Sequence, residues 1–131
     1  MVKPISNNCT KRNILSDIAR IYDPLGLLSP TILLAKSLIQ KLWLQGLGWD
    51  AAPSADIINQ WDAYRSQLPR LSLLSIHRRL IRNEKVGVEI HGFCVASEIA
   101  YSAVIYLPQT MPDDSVVISL VYAKKKVSPL K

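Results

Sequence analysis

Only a few side chains in this sequence belong to the types that hold metal ions or transfer protons, and their spacing is unfavourable. Glu98 is a single carboxylate, whereas a divalent cation needs several convergent ligands. Asp113 and Asp114 are adjacent, but they lie in a turn beside Pro112, where aspartate usually serves the turn itself. His91 alternates with apolar residues, as a packed or edge histidine on a strand does. We therefore predict no catalytic residue and no metal site.

The basic side chains are better candidates for function. The chain carries 16 basic and 10 acidic residues, a net charge of +6 that suits a polyanion such as nucleic acid without requiring one. The candidate phosphate contacts form two runs: Lys124, Lys125 and Lys126 in the first, and His77, Arg78, Arg79 and Arg82 in the second. Such contacts give salt-dependent binding that is independent of base sequence. The alternative, a solvated strand end, is favoured because no stacking aromatic residues interleave with these charges.

The first half of the chain has the periodicity of amphipathic helices. The predicted helices are Lys11–Tyr22 with Thr10 as N-cap, Pro30–Gln45 after Ser29, and Ala55–Leu68 after Ser54. Gly26 and Gly46 follow the first two helices, and each can adopt the positive φ of a turn or a C-cap. The second helix is apolar around most of its circumference, so we expect neighbours on more than one side, or a partner. The tryptophans are predicted to be core residues: Trp43, Trp49 and Trp61.

From about residue 71 the period changes to 2, which indicates strands. A short basic strand or edge segment over 77–81 precedes the predicted strands, which are 86–95, 101–107 and 116–123. The last of these is apolar on both faces and is therefore predicted to be central in a sheet covered on both sides. The stretch Glu89–Leu107 joins two strands through a short polar corner, where an acidic residue could do chemistry. Val95 occupies that place.

These elements predict an α+β fold, with an N-terminal module of three helices followed by an antiparallel meander of three to four strands. The predicted organisation is a disordered arm over residues 1–9, a helical module over 10–70 and a β-meander over 71–131. A meander with two apolar faces is only marginally stable without covering helices. We therefore expect a truncated domain whose exposed sheet is covered by a companion chain.

The sequence predicts an intracellular, cytoplasmic protein. Cys9 and Cys94 are too far apart for a zinc site and too few for a disulfide framework. The N-terminal residues lack the apolar core of a signal peptide. The most apolar run, Leu25–Leu47, is interrupted by Pro30 and Lys36, so it does not predict a membrane span.

Several motifs in the sequence resemble a known family. They are Thr10-Lys11-Arg12, the run Leu15–Pro30 (LSDIARIYDPLGLLSP), Trp43, the loop Gly48–Asp50, Trp61, the segment His91–Tyr101 and the stretch Ala123–Lys131. Together they are similar to the segment that follows the reverse transcriptase palm in polyproteins of BEL/Pao retrotransposons, the Pao retrotransposon peptidase family. The resemblance covers residues 10–131, nearly the whole chain.

That resemblance implies a thumb- and connection-like module over residues 10–70 and the opening strands of a ribonuclease H-like fold over residues 71–131. Ribonuclease H domains cleave the RNA strand of an RNA–DNA hybrid with a pair of Mg²⁺ ions held by carboxylates. The family's first carboxylate is an aspartate after a Gly-Phe-Cys run, and Val95 stands at that position here. The other carboxylates belong to a later helix and strands, and the polymerase aspartates and the aspartic peptidase belong upstream. We therefore expect neither an enzyme nor a bound cofactor.

The leading hypothesis is a non-catalytic piece of a BEL/Pao-type polyprotein that at most binds an RNA–DNA hybrid, another nucleic acid or a protein weakly. One alternative is part of an enzyme that is active only within a longer polyprotein. Another is a small basic module, repurposed by its host for nucleic-acid binding or protein interaction. Cleavage of a hybrid by the isolated chain would exclude the leading hypothesis.

Overall fold

The structure is a computed structural model that describes residues 9–130. The predicted disordered arm, residues 1–9, lies outside the described residues except for Cys9. The described chain divides into a helical unit, which comprises the residues up to Tyr22 and Pro30–Ser75, and a sheet unit, which comprises Asp23–Ser29 and the residues from Ile76 onward. The predicted α+β class is confirmed, because three helices precede a three-stranded antiparallel sheet.

The helical unit contains α1 (Lys11–Ala19), most of α2 (Ser29–Leu44), α3 (Ala55–Gln67) and a short 3₁₀ helix (Leu68–Leu73). Thr10 caps α1 as predicted, since its Oγ1 accepts a hydrogen bond from the Asn13 N–H at 3.3 Å. The helix ends earlier than predicted, and Tyr22 lies outside it and is exposed. Pro24 disfavours helical backbone at the residue before it, so the chain leaves the helical path ahead of it.

The ends of α2 and α3 follow the predicted signals with one difference. Gly46 has φ +61° just beyond α2, where its N–H bonds the Trp43 carbonyl, as a left-handed C-cap requires. Ser54 occupies the N-cap position of α3 but makes no side-chain cap bond. Its Oγ instead accepts a hydrogen bond from Gln45 Nε2 at 2.7 Å. The hydroxyl of Ser54 therefore ties α3 to the end of α2.

The buried apolar core of the described chain lies in the helical unit. Its members are Ile14, Ile18, Ala35, Leu38, Leu42, Ile57, Trp61 and Tyr64. Helix α2 presents only one face to this core, and Leu34 and Leu44 on its other sides are exposed. Among the described residues, α2 therefore meets the core on one side only, and the alternative, a partner, stays a prediction. None of the described helices is both long and apolar enough to span a bilayer.

The sheet unit contains β1 (His91–Ala96), β2 (Ala100–Thr110) and β3 (Val116–Val127) in the order β1-β2-β3. All neighbours are antiparallel, and a bulge interrupts the β2–β3 ladder between Ile105 and Tyr106. The prediction that the third strand is central was wrong, because β2 is the central strand. Two consecutive hairpins place the middle strand of a meander between its neighbours, whatever the apolar content of the third strand.

The segment from Leu74 to Ile90 contains neither helix nor strand. The strand alternative for the basic segment over 77–81 was therefore wrong, and the strand predicted from residue 86 begins only at His91. Without a ladder partner, the backbone of this segment needs other acceptors and donors. The buried side chain of Gln109 supplies an acceptor, because its Oε1 accepts a hydrogen bond from the Arg82 N–H at 2.8 Å.

The loop Asp23–Ser29 contacts the edge of β3 that β2 leaves open, at Ala123. The Ala123 N–H donates to the Leu25 carbonyl oxygen at 2.9 Å. Within the loop, Asp23 Oδ2 accepts from the Leu28 N–H at 3.0 Å, and Gly26 has φ +73°. The predicted turn is thus present, and at Ala123 it contacts a strand edge that would otherwise expose unpaired backbone groups.

Candidate nucleic-acid interface

Val95, which the resemblance places at the family's first carboxylate, is exposed at one end of a row of side chains that crosses the sheet and ends at the buried Lys125. Val95 on β1 pairs with Ser102 on β2, which in turn pairs with Lys125 on β3. Directly paired residues point to the same face, so this row consists of the methyl groups of Val95, the hydroxyl of Ser102 and the buried side chain of Lys125. None of these is an anionic oxygen ligand. The residues present do not fit a pair of Mg²⁺ ions.

The polar corner after Val95 is a turn built around the side chain of Ser97. The Ser97 N–H donates to the Ala100 carbonyl oxygen at 2.8 Å, and its Oγ accepts from the Ala100 N–H at 3.2 Å. The Ser128 N–H donates to the Ile99 carbonyl oxygen at 2.8 Å, which joins the end of β3 to this turn. Glu98 is exposed at the corner. The polarity of the corner is therefore accounted for by the turn.

The other predicted candidates for metal binding are engaged locally. Asp113 Oδ1 accepts from the Ser115 N–H at 3.1 Å and from its hydroxyl at 2.6 Å, and these bonds lower the pKa of Asp113. His91 Nε2 lies 2.9 Å from Glu89 Oε2. Within residues 9–130, no group of three histidine, cysteine or acidic side chains is placed to hold a metal ion.

The lysine run is divided between the two faces of β3. Lys124 and Lys126 are exposed on one face, while Lys125 points to the opposite face and is 8% exposed. This division follows from strand alternation, which sends successive side chains to opposite sides. Only Lys124 and Lys126 can therefore contact a ligand on the same face of the sheet.

We call the side of the sheet that carries Lys124 and Lys126 the lysine face. By register it also carries Gly92, Cys94 and Ala96 from β1, Tyr101, Ala103 and Ile105 from β2, and Tyr122 from β3. Tyr101 pairs directly with Lys126, and Tyr122 precedes Lys124 by two residues. The expectation that no aromatic residues interleave with these charges was wrong. An open depression of about 570 Å³ is lined by residues of all three strands here, including Cys94, Tyr101 and Lys124.

The second basic run forms a separate group on the irregular segment before β1. His77, Arg78, Arg79 and Arg82 line their own depression, which includes none of the three lysines. Arg79 Nε donates to the Ile81 carbonyl oxygen at 3.0 Å, within the same segment. The two predicted runs therefore line separate depressions.

Sequence reasoning missed a buried lysine in the helical unit. Lys11 is 4% exposed; its Nζ donates to the Leu47 carbonyl oxygen at 3.0 Å and lies 3.9 Å from the ring centroid of Trp43. Trp43 and Trp49 meet edge to face with centroids 6.0 Å apart, and both are about half exposed. The prediction that Trp43 and Trp49 are core residues was wrong, whereas that for Trp61, at 2% exposed, is confirmed.

The neighbouring Arg12 holds the loop after α2 against α1. Its guanidinium makes paired hydrogen bonds to the Asp50 carboxylate, at 2.7 and 3.0 Å, and these lower the pKa of Asp50. The Arg12 N–H also donates to the Trp49 carbonyl oxygen at 2.9 Å. The Lys11-Arg12 pair and the Gly48–Asp50 loop are therefore joined in the fold, and their side chains are occupied by internal contacts.

Comparison with known protein families supplies a match over most of the chain. The model of a family described as Pao retrotransposon-like RNaseH-like domain matches residues 10–131. Comparison with curated proteins and with solved structures gave no match.

Proposed function

Because this chain belongs to the Pao retrotransposon-like RNaseH-like domain family, we propose that it is a non-catalytic member that binds nucleic acid weakly. The observation that carries the proposal is the row Val95–Ser102–Lys125 across the sheet. The family's hydrolytic chemistry requires a carboxylate where Val95 stands. A valine and a nearby ammonium group cannot replace it.

The charges around Val95 disfavour hydrolysis. A pair of divalent cations needs several anionic oxygen ligands to offset its charge and to clamp the attacking and leaving oxygens. Val95 has no lone pair to offer, and Lys125 adds positive charge on the same face. In the part of the chain that the structure describes, the remaining acidic, histidine and cysteine side chains form no cluster of three that could compensate.

We expect the purified chain to leave an RNA–DNA hybrid intact in the presence of Mg²⁺ or Mn²⁺. Val95→Asp should also be inactive, because one carboxylate does not make a two-metal site. The measurement is release of labelled RNA fragments over hours, with an authentic ribonuclease H as positive control on the same substrate. Cleavage by the wild-type chain, abolished by a chelator, would contradict the non-catalytic part of the proposal. Cleavage by Val95→Asp alone would show that the other ligands are present.

The support for nucleic-acid binding is the charge of the lysine face. Lys124 and Lys126 are exposed there, and none of the residues that the described strands place on this face is a carboxylate. The chain as a whole carries a net charge of +6. Lysine side chains that neutralise phosphates release condensed counterions, and this release supplies affinity at low salt.

We expect the chain to bind an RNA–DNA hybrid at low salt with an affinity that falls as salt is added. Lys124→Gln/Lys126→Gln should weaken binding and reduce the slope of log K against log salt by about two, since each phosphate contact contributes about 0.9. Anisotropy titrations at several salt concentrations measure this. Lys36→Gln/Lys85→Gln, which removes the same charge from exposed positions elsewhere, should leave the slope nearly unchanged. No binding at low salt, or an equal loss in both double variants, would contradict the proposal.

A companion chain that covers the opposite face of the sheet is a second candidate. Phe93, Val95, Val116 and Ile118 share that face by register and are each more than half exposed. Exposed apolar groups of this size are typical of surfaces that a partner covers. This candidate is favoured if the chain fails to bind nucleic acid at low salt.

A further inference from the structure

We propose that the lysine face binds single-stranded nucleic acid, with bases stacked on Tyr101 and Tyr122 and phosphates held by Lys124 and Lys126. This inference rests on the proposed nucleic-acid binding and specifies its ligand. It rests on a placement of lysines beside tyrosines that the run of three lysines does not reveal in the sequence. Strand alternation and the β2–β3 register place two exposed lysines and two exposed tyrosines on the same side of the sheet.

Tyr101 and Tyr122 are exposed enough for a base to reach their rings. Tyr101 is 45% exposed and Tyr122 is 37% exposed. Aromatic side chains on a sheet that also carries basic residues form the usual platform for unpaired bases, because every base has a π-face that can stack. A duplex keeps its bases stacked on each other and cannot use such rings.

The spacing of these groups suits a short stretch of single strand. Tyr101 lies opposite Lys126, and Lys124 lies between Lys126 and Tyr122 along β3. Four residues along a strand at ~3.4 Å each and one strand spacing of ~4.8 Å place the two tyrosine Cα atoms roughly 14 Å apart. That distance is about four times the ~3.4 Å rise between stacked bases in a duplex, so the two rings would take bases that are not stacked directly on each other. The lysines lie alongside this path, where the phosphates of the same stretch would pass.

Small side chains on the lysine face would allow a nucleic-acid strand to approach the sheet closely. The residues of β1 on this side are small, Gly92, Cys94 and Ala96, and so is Ala103 on β2. The open depression at this end of the sheet is lined by Cys94, Ala96, Ala103, Tyr101, Lys124 and Lys126, together with Val95, Ser102 and Lys125, which alternation assigns to the opposite face. The absence of a carboxylate from the side chains on this face favours a polyanion over a neutral or basic partner.

The test uses the full chain and fluorescence anisotropy with labelled single-stranded oligo(dT) and oligo(rU), a matched RNA–DNA hybrid and duplex DNA. We expect wild-type protein to bind the single strands more tightly than either duplex at the same salt concentration. Tyr101→Leu/Tyr122→Leu should weaken single-strand binding at least tenfold, because stacking contributes substantially per base. The same variant should keep its hybrid affinity and salt slope, which also shows that it is folded.

Two further variants separate stacking from a general surface effect. Tyr101→Phe/Tyr122→Phe retains the rings and should bind single strands within about twofold of wild type, as stacking does not need the hydroxyl. Tyr22→Leu removes a tyrosine that is 87% exposed in the helical unit and should have no effect.

Several outcomes would overturn the inference. They are equal affinity for single strands and duplexes, an equal loss on both ligands in Tyr101→Leu/Tyr122→Leu, and competition by polyglutamate as effective as that by oligonucleotide. Single-strand binding that is unchanged in Tyr101→Leu/Tyr122→Leu, while the chain still binds the hybrid at low salt, would overturn this inference and leave the proposed function standing. Failure of wild-type protein to bind any nucleic acid at low salt would overturn both.

Discussion

Replacing Gly26 by alanine is expected to destabilise the sheet unit by roughly 3 kcal/mol or more. The added Cβ would collide with the backbone carbonyl of Ala123 and would lie 3.2 Å from the Ser29 hydroxyl. Gly26 also has φ +73°, a left-handed conformation that costs a residue with a Cβ roughly 1–2 kcal/mol. The loop Asp23–Ser29 cannot keep both its conformation and its contact with β3, so we expect it to leave the strand edge.

Hydrogen exchange at the Ala123 amide reports directly whether the loop has left the strand edge. Its N–H is donated to the Leu25 carbonyl oxygen at 2.9 Å, so it should exchange slowly with solvent while the loop is seated. In Gly26→Ala we expect exchange at this amide to accelerate roughly a hundredfold, which corresponds to about 3 kcal/mol. Hydrogen exchange of the β2–β3 ladder shows whether the strand pairing itself survives. We expect the sheet unit to have a small free energy of unfolding, because the core of buried apolar residues belongs to the helical unit.

Two glycine variants separate the collision from the backbone strain. Gly46→Ala changes a residue with φ +61° and no neighbour within 4 Å of the new Cβ, so it should cost only about 1 kcal/mol. Gly87→Ala has open space and no left-handed backbone, so it should be nearly neutral. If Gly26→Ala is no worse than Gly46→Ala, the loop does not lie as close to β3 as the structure has it.

The loop illustrates which features a sequence pattern can predict. The turn at Asp23–Gly26 and its positive φ were predicted correctly, because proline and glycine constrain the backbone locally. The contact with Ala123 was not predicted, because periodicity carries no information about which distant strand edge a turn will cover. The same limit explains the wrong position of β3. Its two apolar faces suggested a central strand, but the loop contacts its open edge in place of another strand.

The candidate site shows the same division between local and non-local information. The sequence identified Lys124, Lys125 and Lys126 as one basic run, yet alternation sends Lys125 to the other face. The partnership of Tyr101 with Lys126 depends on the β2–β3 register, which the hairpin and its bulge determine. The pairing of residues 101 and 126 cannot be predicted without knowledge of that register.

The aromatic residues of the helical unit were misassigned for a related reason. Tryptophan is usually buried, and Trp61 is, so all three were predicted to be core. Trp43 and Trp49 instead border Lys11, whose ammonium nitrogen lies 3.9 Å and 5.6 Å from the centroids of their rings. A lysine at the start of an amphipathic helix is normally exposed, and no local pattern distinguishes Lys11 from such a residue.

Replacing Lys11 by alanine is expected to destabilise the helical unit by about 3–4 kcal/mol. Burial of the alkyl stem contributes about 1.5 kcal/mol of this loss. The charged hydrogen bond from Nζ to the Leu47 carbonyl oxygen contributes about 1–1.5 kcal/mol, and the contact with Trp43 about 0.5–1 kcal/mol. Urea unfolding followed by far-ultraviolet circular dichroism measures the change through the helical signal.

Lys11→Met separates packing from charge, because methionine keeps an unbranched stem but offers no donor. We expect it to lose about half as much stability as Lys11→Ala, since the Leu47 carbonyl oxygen loses its donor while the stem contacts remain. Lys36→Ala, at an exposed position on α2, is the matched control and should change stability by less than about 0.5 kcal/mol. If Lys11→Met is as stable as wild type, the cost of burying the ammonium group cancels its contacts, and packing alone explains why Lys11 is buried.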